Sequence, residues 1–318
     1  MKTTAETLKP GASGPQKKKR SRLARREELQ GYLFILPWLI GLFGITLFPM
    51  LFSLYGSFTN YDVTSRMDFI GLGNYARMFR DDPLFWKSLY NTLFYVALMV
   101  PLTTIGSVLL ALMLNERIAG MRVFRTIYYL PAVLSGVGVY FLWIQLLNPS
   151  TGLINTMLGW VGIPGPAWLS DPMWTKPAII MMKLWSVGGG MLLYLASLQG
   201  VPSQLYESAK LDGASAFRRF WHITLPMISP VIFFDVVTSF IGGFQIFQEG
   251  YVMTDSGSGG PMGSLLFYNL YMWNQAFKLF DMGYAMAMAW VLFAIVLVLT
   301  LINLRMSKRW VYYEGGED

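Results

Sequence analysis

The sequence predicts an all-α membrane protein with six transmembrane helices, and three observations carry that expectation. Of the 318 residues, 54% are hydrophobic and only 14% charged, with a mean hydropathy of +0.44, a balance too apolar for a soluble domain of this length. Six stretches each reach the roughly 20 apolar residues that cross the hydrocarbon core of a bilayer. Between the fourth and fifth of them lies one polar, charged segment, residues 202–226, PSQLYESAKLDGASAFRRFWHITLP.

Residues 1–30 come first, rich in Gly, Pro and Ser and carrying the basic run Lys17-Lys18-Lys19-Arg20, then Arg22, Arg25 and Arg26. So few apolar side chains cannot offset the entropy of ordering, so a mostly disordered tail is expected, its charges set against anionic headgroups. The next apolar run is too long for the h-region of a signal peptide and lacks a small-residue cleavage site, so it is expected to stay in the membrane. The spans are placed at residues 32–54, 88–114, 126–147, 178–198, 227–249 and 282–304, within a transmembrane domain of residues 31–305 and before a C-terminal tail of residues 306–318. An even number puts both termini on one side. That side holds eighteen Lys and Arg residues in its tails and connections, against six in the connections opposite, so the termini and residues 202–226 are expected in the cytoplasm. The loosest internal stretch is expected at residues 255–263, rich in Gly and Ser.

Residues 202–226 have the grammar of two short helices and a bend. Pro202 and Ser203 are helix starters, because a proline costs nothing where the first amides are unpaired and a serine oxygen can cap them. Gly213 is a stop, since glycine enters the left-handed cap conformation cheaply. Asp212 or Ser215 can cap a second helix, along which Ala216, Phe217, Phe220 and Trp221 form one apolar face. Taken alone, that face suits a hairpin lying on lipid headgroups.

Glu207-Ser208-Ala209, three residues, Gly213, nine residues, then Ile223-Thr224-Leu225-Pro226 resembles the EAA loop of permease subunits of ABC importers, with Ser208 where that family usually has alanine. The resemblance implies a type I importer core whose cytoplasmic loop docks into a cleft of a separate ATP-hydrolysing subunit. Gly213 would set the bend and Glu207 would fix the docked helix by charge-assisted hydrogen bonds. Phe217 and its aromatic neighbours would fill the cleft. Asp212, Ile223, Leu225 and Pro226 complete the coupling set. Phe69-Ile70-Gly71-Leu72-Gly73-Asn74-Tyr75, the run from Phe124 to Pro131, Gly152-Leu153-Ile154-Asn155 and Trp168-Leu169-Ser170-Asp171-Pro172 look like the MalF type of carbohydrate permease. That likeness implies import of a carbohydrate, with Gly242 and Gly243 pointing to an oligosaccharide or a glycoside, across the cytoplasmic (inner) membrane of a bacterium. It also implies partners: a second, MalG-like permease subunit, two nucleotide-binding ATPase subunits and an extracytoplasmic solute-binding protein.

Polar groups inside a span are costly, so each is a candidate for function. Asp235 lies roughly 12 Å into the fifth span at 1.5 Å per residue, where it either fixes helix packing or contacts a substrate. Lys183 sits near the outer end of the fourth span, where it can snorkel to the interface. Gly188, Gly189, Gly190, Gly242 and Gly243 remove bulk from these two spans, as close helix crossings require. Carrying the family's sugar-contacting positions over without gaps puts them on Met182, Trp185, Ser186 and Gly189, and on Ser239, Gly242, Gly243 and Ile246. Trp185 would stack on a pyranose face and the serines would bond hydroxyls. Gly242 and Gly243 suggest a roomy cavity. Gln245, Gln248 and Glu249 are either polar lining near its outer mouth or groups solvated at the interface.

Several functions are excluded or weakened. The formal net charge of +7 is scattered between apolar runs with no basic stripe, so nucleic acid is not an expected partner. With no cysteine and one histidine, His222, which reads as a surface residue, a Cys/His metal site lacks ligands. No cofactor is expected. No P-loop motif occurs, so ATP hydrolysis must come from another chain. No nucleophile with a base or paired carboxylates is evident, which argues against an intramembrane enzyme. Lys183 hints at an anionic saccharide or a glycerol-phosphate-like substrate, and an ion-coupled secondary transporter would leave the EAA spacing unexplained.

Overall fold

The computed structural model describes residues 22–312 except 65, 66, 117 and 135, in two units, Met1–Ser53 and Leu54–Asp318. In the first unit a helix starts at Arg22 and runs to Ile40, then widens into a π turn over Gly41–Leu47. The expected tail is therefore helical over residues 22–30. Leu, Ala, Glu and Gln dominate that stretch, and a helix already nucleated by the apolar run extends through such residues at little cost. Residues 1–21, and residues 313–318 of the C-terminal tail, lie outside the described residues. Phe34, Trp38 and Ile45 are exposed, as suits a helix surrounded by hydrocarbon.

Four helical stretches are long and apolar enough to cross a membrane, Glu28–Gly56, Pro83–Leu114, Ala216–Val252, which is interrupted at residues 245–247, and Met282–Ser307, and two bent pairs bring the count to six. The second span begins at an Asp82 cap, whose carboxylate accepts from the amides of Leu84 and Phe85. Expected as one helix, the third span is two, Met121–Val133 and Val137–Leu146, bent by 103°. Pro131 has no N–H to give and Gly136 has φ of +96°, so the α-helical ladder cannot continue there. The fourth span is likewise broken, into Pro172–Trp185 and Gly188–Gly200, bent by 46°. There Gly188 approaches the third span so closely that a Cβ would lie 1.8 Å from the Tyr128 carbonyl oxygen.

The second span is central to both hydrophobic clusters. Tyr95, Val96 and Val100 pack in one with Ile179, Met182, Phe244, Phe267 and Tyr284. Val108, Ala111 and Leu114 pack in the other with Met191, Tyr194 and Ile228. At the end away from the EAA-like loop the connections are stitched by amides. Asn74 donates to the Ser57 and Thr59 carbonyls at 2.9 and 2.8 Å. Asn155 donates to those of Pro149 and Pro166 and accepts from Trp168 Nε1 at 2.7 Å. Tyr271 and Tyr284 both donate to Asp82 Oδ2. Burial, and then that hydrogen bond, push the Tyr271 phenol well above its usual range, so it remains a donor at physiological pH.

Residues 255–263 are not a loose stretch. Asn91 Nδ2 donates to the Gly263 and Leu266 carbonyls at 2.9 and 3.0 Å. Lys87 Nζ donates to the Met262 carbonyl, and Leu265 and Phe267 are fully buried. The glycines expected to give freedom instead supply positive φ at Gly257, Gly259, Gly260 and Gly263, which lets the chain fold tightly on itself.

Candidate functional site

The EAA-like segment folds as a short helix, Ser203–Leu211, then Gly213 with φ of +75°. Ser215, not Asp212, caps the next helical turn, its Oγ accepting from the Arg218 amide. Glu207, Ser208 and Asp212 are exposed, Ala209 is half-buried, and His222 is a surface residue as expected. Phe217 is 73% exposed, edge-on to Trp221 at 6.0 Å.

The second half of the segment is not a separate short helix. Ala216–Arg219 leads into a π turn over Phe220–Thr224 and directly into the fifth span, giving one helix, Ala216–Phe244, before a break at residues 245–247 and the short helix Gln248–Val252. Pro226 sits in the first α-helical turn after the wider π turn, where its missing N–H disturbs least. Ile223, Leu225 and Pro226 are half-buried at this junction. Tyr206 and Thr224, which the sequence reading did not single out, share a hydrogen bond of 3.0 Å that ties the short helix to the base of the long one.

Further along the long helix lies a cavity of about 640 Å³ between the second, third, fourth and fifth spans. Ser186, Ser239, Gly242, Gly243 and Ile246 line it, with Lys183, Asp235, Gln245, Gln248 and Glu249. The two glycines differ in role. A Cβ on Gly242 would meet nothing within 4 Å, whereas one on Gly243 would lie 3.0 Å from Val96 Cγ2 and 3.1 Å from Met99 Cε. Gly242 opens space and Gly243 permits packing.

Met182, Trp185 and Gly189 do not line this cavity. Trp185 turns edge-on to Trp143, 5.9 Å away, and with Met182 borders a smaller pocket of about 300 Å³. A Cβ on Gly189 would be 3.2 Å from Ala132 Cβ. The stripe that does face the cavity is Lys183, Ser186, Val187 and Gly190, largely one residue further along, because the close contact at Gly188 turns the neighbouring face toward the third span.

Three features escaped the sequence reading. Tyr95, Met99, Thr103 and Ser107 of the second span form a four-residue-spaced row on the cavity wall, a signal available in the polar members of an apolar span. Asp235 Oδ2 accepts from Tyr194 at 2.7 Å and from Thr104 at 2.9 Å, charge-assisted bonds that fasten the fifth span to the fourth and second. Asp235 thus both fixes packing and faces the cavity. Lys183 does not snorkel: its Nζ lies 2.6 Å from Glu249 Oε1, and the Glu249 side chain is only 7% exposed. Glu249 is therefore a buried ion-pair partner and is not solvated at an interface.

Residues 70–312 match the model of a family described as binding-protein-dependent transport system inner membrane component. The probable ABC transporter permease protein YesP of Bacillus subtilis is 40% identical over 96% of this chain and 99% of its own. The lactose transport system permease protein LacF of Rhizobium radiobacter is 37% identical over 89% and 96%. A subunit in the structure of a bacterial ABC transporter involved in import of the acidic polysaccharide alginate superposes with a TM-score of 0.80 over 91% of this chain and 99% of that one, at 27% identity. The overall fold is thus shared with that subunit, and this chain belongs to the family of binding-protein-dependent transport system inner membrane components.

Proposed function

We propose that this chain is a permease subunit of an ATP-driven importer that carries a saccharide, an oligosaccharide, from a binding protein through its cavity into the cytoplasm. The observation that carries the reading is the helix Ala216–Phe244, continuous through its π turn. One end bears the exposed Phe217 and Trp221 beside the Gly213 bend. The other end bears Asp235, Ser239 and Gly242 on the cavity wall, with Gln245, Gln248 and Glu249 on the turn and short helix that follow. At 1.5 Å per residue it is about 43 Å long, so a push at its coupling end is delivered to the cavity. The hydroxyls and amides of the lining suit sugar hydroxyls, and the lactose and alginate relatives support a carbohydrate cargo.

In this reading Glu207, Ser208, Ala209, Asp212, Gly213 and Phe217 form the docking surface for an ATPase subunit, with two such subunits in the complex. A MalG-like permease supplies the other half of the path, and an extracytoplasmic solute-binding protein delivers the sugar. The membrane is the bacterial cytoplasmic membrane with both termini inside, as the distribution of Lys and Arg favours. No cofactor is assigned to this chain. ATP binding would draw the coupling loops together and bias the spans between two facing states. The test is to extract the tagged chain gently from native membranes and identify what co-purifies by mass spectrometry. A P-loop ATPase and a second permease are expected. Recovery of the chain alone, with uptake insensitive to ATP depletion, would defeat the proposal and favour a secondary transporter.

A further inference from the structure

The charges on the cavity wall discriminate between classes of saccharide. Lys183, Asp235 and Glu249 line it, and Lys183 is the only basic residue there among those described. Its ammonium is committed to Glu249 at 2.6 Å. A carboxylate held so close largely cancels the field of the ammonium at the distance of a ligand, and a ligand that drew the ammonium away would leave Glu249 buried and unpaired. Asp235 has no such counter-ion among the described residues. Thr104 and Tyr194 give it hydroxyl hydrogen bonds, which stabilise its charge without neutralising it. An incoming carboxylate or phosphate therefore finds one uncompensated negative charge and no free cation, while a neutral sugar finds hydroxyl and amide partners at Tyr140, Ser186, Ser239 and Gln245.

We infer that this cavity selects neutral saccharides over acidic ones, with Asp235 and Glu249 as the specificity-determining residues. The inference rests on the carbohydrate-import reading and refines it. The alginate transporter handles an acidic polysaccharide, so similarity of architecture does not decide the charge of the cargo, and the side chains on the wall do. Lys183, the one sequence feature that hinted at an anionic substrate, is silenced by its partner.

The test supplies this chain or its variants to cells lacking it, with the rest of the transporter present, and measures uptake of matched neutral and uronic-acid trisaccharides of galactose, glucose and mannose. The neutral-to-acidic uptake ratio is internal to each strain and so does not depend on how much protein inserts. The wild-type ratio is expected to be about ten or more. Glu249→Gln frees Lys183 and should lower the ratio about tenfold, while Lys183→Gln with Glu249→Gln restores the wild-type charge balance and the wild-type ratio. Asp235→Asn, which can still accept from both hydroxyls, removes the uncompensated charge and should also lower the ratio. Acidic trisaccharides entering wild-type cells as fast as neutral ones, or an unchanged ratio in Asp235→Asn, would overturn the inference. Uptake of neither class in the wild type would strike the carbohydrate reading itself, and the inference with it.

Discussion

Gly242→Phe tests whether the cavity is the path. A Cβ at this position meets nothing within 4 Å, so the new ring has no wall to pack on and must enter the cavity. A cavity of about 150 Å³ holds one benzene, so the benzyl group takes about a quarter of the 640 Å³ present. A pyranose with its hydroxyls is larger than benzene, so the lost space is somewhat less than one sugar ring. Forcing an oligosaccharide past it resembles overpacking a core, at about 1–3 kcal/mol, or about 5- to 150-fold in rate. The assay is ATP-dependent uptake of a disaccharide and of the homologous tetrasaccharide in parallel. The tetrasaccharide should slow by that factor and the disaccharide by much less. A tetrasaccharide transported as fast as by wild type would refute the assignment of Gly242 to the path.

Gly188→Ala brings a methyl to 1.8 Å from a backbone oxygen. It should cost about 1–3 kcal/mol, lowering the midpoint of a tryptophan-fluorescence melt in detergent by several degrees. Gly200→Ala, with nothing within 4 Å, should leave that midpoint unchanged or raise it. Tyr194→Phe removes one of the two donors to Asp235 and should cost about 1.5–3 kcal/mol in the same melt; no change would mean that the hydrogen bond adds nothing to the junction. Gly213→Pro cannot keep φ of +75°, since proline is held near −65°, and Glu207→Ala forfeits about 1.5–3 kcal/mol of charged hydrogen bonding at the docked surface. Both variants should insert normally and lose ATP-dependent uptake, and normal uptake by both would remove the coupling assignment.

The parts legible in the sequence are those whose physics is local. Six apolar stretches, the αL bend at Gly213 and the polar members of the fifth span each stem from residues near one another in the chain. The motifs at Phe69–Tyr75 and Gly152–Asn155 were legible as family marks but not as structure, since the work of Asn74 and Asn155 is to bond backbone groups of other segments. The break in the fourth span goes with a tertiary contact, Gly188 against Tyr128, and the cavity-facing stripe beside it excludes Met182, Trp185 and Gly189, whereas Pro131 and Gly136 mark the third-span break locally. Lys183 and Asp235 were visible as intramembrane charges, but their partners, Glu249, Thr104 and Tyr194, are set by which faces meet. Residues 255–263 misled for a related reason, because glycine at positive φ permits a tight buried turn as readily as a loose one.

The two hydrogen bonds that the sequence did not disclose explain how a push at the loop can reach the sugar. Tyr206 joins the short helix to Thr224 at the base of the fifth span, and Tyr194, on the second half of the fourth span, joins Asp235 farther up the same helix. The short helix continues directly from that half-span through Val201 and Pro202. The three pieces therefore make a triangle closed at two levels. Asp235 lies about 27 Å along the helix from Phe217 at 1.5 Å per residue, so a tilt of about 10° about the coupling end would carry it about 5 Å over that length. A bond of 2.7 Å cannot stretch that far, so Tyr194 must travel with Asp235 or let go. Because the triangle is also fastened at Thr224, moving together breaks neither of its bonds, while the 2.9 Å bond from Thr104 must either carry the second span along or release. The third span, broken at Gly136, is where such a movement can be absorbed without breaking a regular helix.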